Sequence, residues 1–382
     1  MKILLISTFG PNIRGISPYA DSLADALGNS KEIKLTKLDY KHPFPSGILP
    51  INTRYDADNS FALIDYRNPS TWKLPNIDFD VVHIQYWSPA FLPVIIAMIR
   101  NIKKSQIKII TTWHNPKPHE AIPLIKKFEN YLLNSSNGII THTIIGETII
   151  MNRNSKIPSK VIHHGCDLKD LKFATKSDFD ICNLSESYKY ILFFGNIRPY
   201  KGLDILIDAW ISIKDKHPQY KLIIAGRLWE KSDNYLSKFT NFFIGTSKYG
   251  QLIKSKIDKL DNSVISDLNF IPEEKAEAYL TIADYAIFPY KSFESQSGAA
   301  TRAASHGVPI ITTDSGGLSE LAISNKYICK NNNIDSLAHT IDSRLNNFHP
   351  KLKSIQKSIS ENYSWGNSAD EHIAFYKEIS AS

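Results

Sequence analysis

Three groups of residues combine types and spacing suited to chemistry. The first lies in residues 286–320, AIFPYKSFESQSGAATRAASHGVPIITTDSGGLSE. Ser295 and Ser297 can cap a helix whose first turn is Gly298-Ala299-Ala300. Free backbone N–H groups, the positive end of the helix dipole and the lack of bulky side chains make such a turn an anion site. Glu294, just ahead of it, can grip hydroxyls beside a bound phosphate, and the glycine turn Ser315-Gly316-Gly317 opens another helix one strand later. The second group is Asn196-Ile197-Arg198-Pro199-Tyr200-Lys201-Gly202. Two cations in a loop that ends at a helix N-terminus can clamp a diphosphate, the arginine in bidentate fashion and the lysine as a point charge. The third is Thr111–Glu120, where His114 follows a strand and precedes helix-breaking prolines. Loops at the carboxyl ends of parallel strands face the ligand crevice, and a neutral imidazole there can hydrogen-bond a sugar hydroxyl. His119 is a second histidine of that loop, and Arg227, just past the strand Tyr220–Gly226, can touch a nucleotide. Phosphate and polyol recognition together point to a nucleoside-diphosphate sugar.

These groups need strand–loop–helix frames to hold them. Lys2–Ser7 is apolar almost throughout, as buried parallel strands are. A loop with Gly15 leads from it into the amphipathic helix Pro18–Leu27. That loop lacks the G-x-G-x-x-G fingerprint of dinucleotide binding. Asp80–Gln85, Ile107–Thr112, Gly138–His142 and Lys160–Gly165 complete a first sheet. Tyr190–Gly195 then restarts the pattern, followed by the helix Leu203–Lys214, the strands Tyr220–Gly226 and Val264–Ile271, and a helix through Ile282. Two successive rounds imply an α/β fold of two Rossmann-like domains, their parallel sheets facing an interdomain cleft. The expected boundaries are 1–167, a polar linker over 168–188, and 189–365, with the helix of 366–382 returning to the first domain. Residues 41–76, rich in proline and aromatics, read as interrupted structure on an acceptor-side surface. Residues 231–262 read as a lysine-rich solvated helix.

The bulk properties exclude several classes. The 382 residues are 42% hydrophobic and 22% charged, the profile of a soluble globular protein with room for two cores. Cys166, Cys182 and Cys329 are scattered and lack metal-ligand spacing, which argues for a reducing compartment. MKILLIST runs straight into a strand and does not read as a signal peptide, and the apolar run Pro89–Ile99 is too short to span a bilayer. Net charge is +7, all of it in residues 1–165, which hold 19 Lys+Arg and 12 Asp+Glu against 26 and 26 in the remainder. Such a basic half attracts anionic lipid headgroups or a pyrophosphate-linked acceptor. No nucleic-acid-reading motif accompanies it, so nucleic acid is not an expected partner. Asp78-Phe79-Asp80 mimics a metal-binding pair but enters a strand, and His163-His164 project to opposite sides of one; no metal site is expected.

In their order and spacing these motifs resemble the retaining glycosyltransferases of family 4, which have the GT-B fold. Their donor-sugar motif is Glu, seven residues, Glu, a small-residue helix ending in Gly-x-Pro, then a Gly-Gly turn and Glu. Glu294 takes the first acidic position, Gly307-Val308-Pro309 the helix exit, and Gly316-Gly317 with Glu320 the tail. The second acidic position holds Arg302, a departure that removes the family's ribose contact and puts a cation where it could pair with the diphosphate instead. The resemblance further implies that His114 approaches the donor sugar and that Gly15 lies near the donor phosphates and acceptor. Lys201 matches one member of the diphosphate pair. Asn196 stands at the usual arginine's position, with Arg198 as a displaced substitute. The base would lie against the turn at Phe270-Ile271-Pro272, and the sugar phosphates against Ser297, Gly298 and Ala299. His163-His164-Gly165-Cys166-Asp167 resembles the turn before the interdomain linker, and Tyr363–Gly366 with the helix Asn367–Ile379 the tail that crosses back. The implied activity is transfer from a nucleoside-diphosphate sugar to a glycan or lipid-linked acceptor, with retained configuration and without metal or cofactor. It would take place in the cytoplasm, with peripheral contact at the inner face of the membrane. Two other readings stay open: an epimerase or phosphorylase on the same fold, and a non-catalytic partner subunit, for which Arg302 is the suggestive feature.

Overall fold

The computed structural model describes residues 1–10, 16–42, 60–74, 78–102, 106–116, 123–228, 244–293 and 295–381. The chain forms two units, Met1–Gly165 with Trp365–Ser382, and Cys166–Ser364. In the first, the strands are β1 (Lys2–Ile6), β2 (Lys34–His42), β3 (Ser60–Asp65), β4 (Val81–Tyr86), β5 (Lys108–Trp113), β6 (Gly138–Thr141) and β7 (Ser159–Val161). Its helices are α1 (Ser17–Gly28), α2 (Leu92–Ile102), α3 (Pro123–Ser135) and α4 (Ile144–Met151), with the last helix of the chain, α12 (Trp365–Ala381). The strands form one parallel sheet in the order β3-β2-β1-β4-β5-β6-β7. Every residue of β4 is buried, as in a parallel strand covered on both faces, and that includes the polar His83 and Gln85. Tyr19, Leu23 and Leu27 of α1 share a core with Ile373, Phe375, Tyr376 and Ile379 of α12, so the terminal helix is an integral layer of this unit.

The second unit has α5 (Lys176–Cys182), α6 (Leu203–Ile213), α7 (Ile244–Ile257), α8 (Glu273–Ile282), α9 (Gly298–Ser305), α10 (Ile334–Asn346) and α11 (Lys351–Glu361). These cover a parallel sheet of β8 (Lys189–Phe194), β9 (Tyr220–Ala225), β10 (Val264–Asp267), β11 (Tyr285–Phe288), β12 (Ile310–Thr313) and β13 (Ile328–Cys329). The strand order is β10-β9-β8-β11-β12-β13. In each sheet the order reverses once, beside β1 in the first and beside β8 in the second. The crossovers on either side leave in opposite directions, and a ligand crevice opens between them at the carboxyl ends of the strands.

Four boundaries differ from the sequence reading. Residues 168–188 are not a bare linker: they contain α5, and Phe179, Cys182, Leu184 and Tyr188 pack into the core of the second unit. A seven-residue helix with so few apolar positions gives too little period to see. Its start is fixed by the Asp178 carboxylate, which accepts the Thr175 N–H at 2.8 Å and its hydroxyl at 2.7 Å. The unit division falls at Gly165/Cys166, and the return at Ser364/Trp365. Within 41–76, β3 adds an edge strand to the first sheet, its pairing with β2 interrupted by register shifts that spoil the alternation. After Gly316 the chain makes a 3₁₀ turn through Leu321 in place of an α-helix. Of the lysine-rich stretch, 231–243 lies outside the described residues.

Candidate functional site

Both loops that carry the anion-binding residues leave the switch point of the second sheet, one from β8 and one from β11. Gly195 ends β8 with φ at +109°, and a Cβ on it would stand 3.1 Å from Lys201 Nζ and 3.3 Å from the Ala299 Cβ. Glycine therefore lets the lysine ammonium and the first turn of α9 converge on one spot. Lys201 is 7% exposed. Its Nζ lies 5.2 Å from the centroid of the Tyr290 ring, and no carboxylate pairs with it among the described residues. Burial pushes its pKa below the usual lysine value; Tyr200 opposes that shift and Arg198 adds to it. A buried cation lacking a counter-charge is costly unless an anion arrives. Among the described residues nothing supplies that charge, which suits the spot to an anionic ligand.

The surroundings hold this lysine in register with the helix. The Lys291 N–H donates to the Tyr200 carbonyl at 2.7 Å. Tyr200 stacks on Phe293, with centroids 5.9 Å apart and planes 6° from parallel, and Tyr290 meets both rings edge-on. The Tyr290 hydroxyl lies 2.9 Å from Ser297 Oγ, and Ser297 Oγ accepts the Ala300 N–H at 3.4 Å, a cap of the kind that contributes about 1 kcal/mol. A Cβ on Gly298 would meet nothing within 4 Å, so the first turn of α9 opens into free space. Gly316, with φ at +56°, is pressed against the preceding segment: a Cβ there would stand 2.1 Å from the Phe293 carbonyl oxygen. The Gly317 N–H donates to the Ser295 carbonyl at 3.3 Å. The glycine pair thus buttresses the chain on either side of position 294.

The structure brings Lys201, Ala299 and Ser297 together at one end of the sheet. Asn196 and Arg227 are exposed on the adjoining rim, where the Ile197 N–H donates to the Arg227 carbonyl at 2.9 Å. Ile271 is half-buried against the core, while its neighbour Phe270 is 62% exposed. Glu294, Gly15 and His119 lie outside the described residues. Arg302 is a correction. Its guanidinium does not reach for the anion site but is held by α8, at 2.6 Å from Glu273 and 2.7 Å from Glu277. Glu277 also takes His306 at 3.0 Å. The two glutamates stand on one helix face, a turn apart, and neutralise the arginine that the motif comparison left without a role. These pairs are partly open to water, so each contributes about 1 kcal/mol. Arg302→Ala is therefore expected to leave nucleotide affinity within about twofold and to lower stability by about 1 kcal/mol or less; a tenfold loss of nucleotide affinity in calorimetry would restore Arg302 to the anion site.

In the first unit, His114 sits just past β5, buried at 7% exposure, among more histidines than the strand patterns suggested. Its Nε2 lies 2.6 Å from Gln85 Oε1 and its Nδ1 3.1 Å from His142 Nε2. The ring expected to be open to a sugar hydroxyl thus has both nitrogens engaged within the unit, and a ligand would have to displace one partner. Tyr19 packs edge-on against His114 and His164, both at 4.8 Å between centroids. Burial, and then the neighbouring histidines, hold His114 neutral, well below the usual histidine range. Gln85, His142 and Tyr19 escaped sequence reasoning because strand period 2 marks which face a residue takes, not which strand lies beside it. Asp78 and Asp80 serve the start of the sheet: Asp80 accepts the Lys2 N–H at 2.6 Å, and Asp78 pairs with the Lys2 ammonium at 3.6 Å. No helix among the described residues is long and apolar enough to cross a membrane.

Comparison with known proteins completes the picture. Residues 175–362 match the family model described as Glycosyl transferases group 1, and residues 15–170 that described as Glycosyltransferase Family 4. An uncharacterized glycosyltransferase of Methanocaldococcus jannaschii is 24% identical, the match covering 100% of this chain and 99% of that protein. Among solved structures, sucrose-phosphate synthase from Thermosynechococcus elongatus superposes with a TM-score of 0.72 at 17% identity, over 100% of this chain and 99% of the other. Anabaena HepE in complex with UDP and glucose gives 0.70 at 15% identity, over 99% and 100%. At such identities the likeness is one of fold, and that fold is GT-B.

Proposed function

We propose a function from one premise: the chain belongs to the group 1, family 4 glycosyltransferases. It moves a sugar from a nucleoside-diphosphate sugar to an acceptor hydroxyl, with retained anomeric configuration. The observation that carries this reading is Lys201, buried without a carboxylate among the described residues and set against the open first turn of α9. A diphosphate supplies the missing negative charge. A solved relative in fold, HepE, carries UDP and glucose, which agrees with a donor of that class.

The chemistry follows from charge. The bond between the anomeric carbon and the diphosphate oxygen breaks, and negative charge develops on the leaving diphosphate. In this reading Lys201, Arg198 and the N–H groups of α9 take it up. The acceptor hydroxyl attacks from the face the diphosphate leaves, and its proton passes to a diphosphate oxygen. With cations and a helix terminus doing this, no metal ion is required, and Glu294 is left to hold the sugar's hydroxyls. The first unit carries the acceptor in this reading, and its excess positive charge suits an anionic acceptor such as a lipid-linked glycan in envelope synthesis at a cytoplasmic membrane face. Incubation with UDP-, GDP- and ADP-hexoses and candidate lipid-pyrophosphate acceptors, followed by proton NMR of the product, tests the reading. The expected result is nucleotide release that depends on acceptor and a product with the donor's anomeric configuration. An inverted product would overturn the retaining assignment, and release of an altered sugar without acceptor would favour an epimerase.

A further inference from the structure

A row of buried polar side chains crosses the first unit from α12 to the end of β7. The Tyr376 hydroxyl lies 2.6 Å from His83 Nδ1. His83 Nε2 lies 3.1 Å from one end of the Gln85 amide and 2.7 Å from the Thr112 hydroxyl. The other end of that amide lies 2.6 Å from His114 Nε2, His114 Nδ1 lies 3.1 Å from His142 Nε2, and His142 Nδ1 lies 2.8 Å from the Ile162 carbonyl. All of these side chains are buried, and each imidazole uses both of its nitrogens.

The far end sets the order of protons. A carbonyl oxygen only accepts, so His142 carries its proton on Nδ1. A neutral His142 then offers a lone pair at Nε2, and His114 must donate to it from Nδ1. A neutral His114 in turn offers a lone pair at Nε2, which only the N–H₂ end of the Gln85 amide can meet. The two ends of an amide have the same shape, and the hydrogen-bond chain decides which faces which. The Gln85 oxygen is thereby turned toward His83, which donates from Nε2 and accepts the Tyr376 proton at Nδ1. The reverse setting of the amide puts the His114 proton on Nε2. Two lone pairs then oppose each other across the His114–His142 contact, unless one ring takes up a positive charge in a site that excludes it. The rings and hydroxyls facing this row from neighbouring elements are Tyr19 of α1, His164 after β7 and His372 of α12, none of them an anion.

We propose that Gln85 is a positioning residue: it directs a one-way hydrogen-bond relay from Tyr376 to the Ile162 carbonyl and so fixes His114 with its proton on Nδ1. The opposite tautomer, with the proton on Nε2, is the usual one for a free imidazole, so the relay imposes a state the ring does not favour alone. The word positioning rests on the glycosyltransferase reading, in which His114 belongs to the sugar site; the tautomer itself does not.

The test uses the full chain with ¹⁵N-labelled histidine and long-range proton–nitrogen correlation, which separates protonated from unprotonated ring nitrogens. In the unsubstituted protein His114 is expected to be protonated at Nδ1 and His83 at Nε2. In Gln85→Glu the carboxylate can only accept, and His114 is expected to move its proton to Nε2. Gln85→Met, of similar volume, serves if the glutamate variant fails to fold: His114 is expected to keep its proton on Nδ1 through His142, while His83, no longer facing the amide oxygen, becomes a mixture of tautomers. His114 protonated at Nε2 in the unsubstituted protein or in Gln85→Met, or unchanged by Gln85→Glu, would overturn the proposal. The kinetic arm expects kcat to fall at least tenfold in Gln85→Glu, with KM for the donor within about twofold; a kcat that stays put while the tautomer switches would overturn the positioning role. An expected tautomer in a protein that turns over no nucleotide sugar would instead count against the enzyme reading and leave the relay standing.

Discussion

Lys201→Met is expected to abolish nucleotide-sugar binding while leaving the protein at least as stable as before. The two effects have one cause. The ammonium is 7% exposed and pairs with no carboxylate among the described residues, so none of those residues offsets its desolvation cost. A methionine of similar length keeps the packing against Tyr290 and removes that cost. With donor present the sign reverses. One charge-assisted hydrogen bond contributes about 1.5–3 kcal/mol, and losing a preorganised contact to a developing anion lowers kcat by about 10²–10³-fold. A melting temperature that holds or rises, together with lost binding, identifies a functional charge. A falling melting temperature with intact binding would make Lys201 a structural residue and remove the basis of the donor site. Lys201→Arg is not a rescue, because the planar fork does not fit the space beside Gly195 that a compact ammonium fills.

Acidification is expected to unfold the first unit well before the second. Burial holds His83, His114, His142, His164 and His372 below the ordinary histidine value, His142 at about 3 and His372 at about 4. Each binds a proton more readily once unfolded. The stability they contribute is complete above about pH 6.5. It is lost as pH falls toward the folded values, at about 1.4 kcal/mol per pH unit for each histidine that must charge. Asp39 works the other way: burial raises its carboxyl to about 7, and its neutral form favours the folded state on the acid side. Burial raises the Asp21 carboxyl as well, but two carboxyls do not balance five imidazoles. In the second unit His217 and His306 lie on carboxylates, at 2.7 Å from Asp342 and 3.0 Å from Glu277, not among other buried imidazoles. Hydrogen exchange followed by mass spectrometry at pH 7 and pH 4.5 reads this directly. Peptides of 1–165 and 365–381 should lose protection while those of 190–360 keep it, and simultaneous loss in both would refute the assignment.

What could be read from sequence depended on how local the signal was. The strands showed because parallel strands buried on both faces are runs of Val, Ile and Leu. The loop Asn196–Gly202 and the small-residue helix at Gly298 showed because their chemistry is contiguous. Arg302 did not, since the residues that neutralise it, Glu273 and Glu277, stand on a helix about 25 to 29 positions away with nothing in the local pattern to link them. The histidine row was hidden for the same reason: His83, His114, His142 and Tyr376 come from four separate elements, and only the strand order β4-β5-β6 and the return of α12 assemble them. His114 was singled out correctly as the residue at the end of β5, but its partners were not visible. Position 302 also shows that a motif departure can be absorbed by the fold without being moved to a new role.

The central claim is that the second unit is built to receive a diphosphate at Lys201 and the first turn of α9. Calorimetric titration of the protein with UDP, GDP and ADP, each beside its monophosphate, tests it most directly. The account predicts that at least one diphosphate binds ten times or more tightly than its monophosphate, and that Lys201→Met removes the difference. Equal affinity for the two, or a preference that survives the substitution, would contradict it.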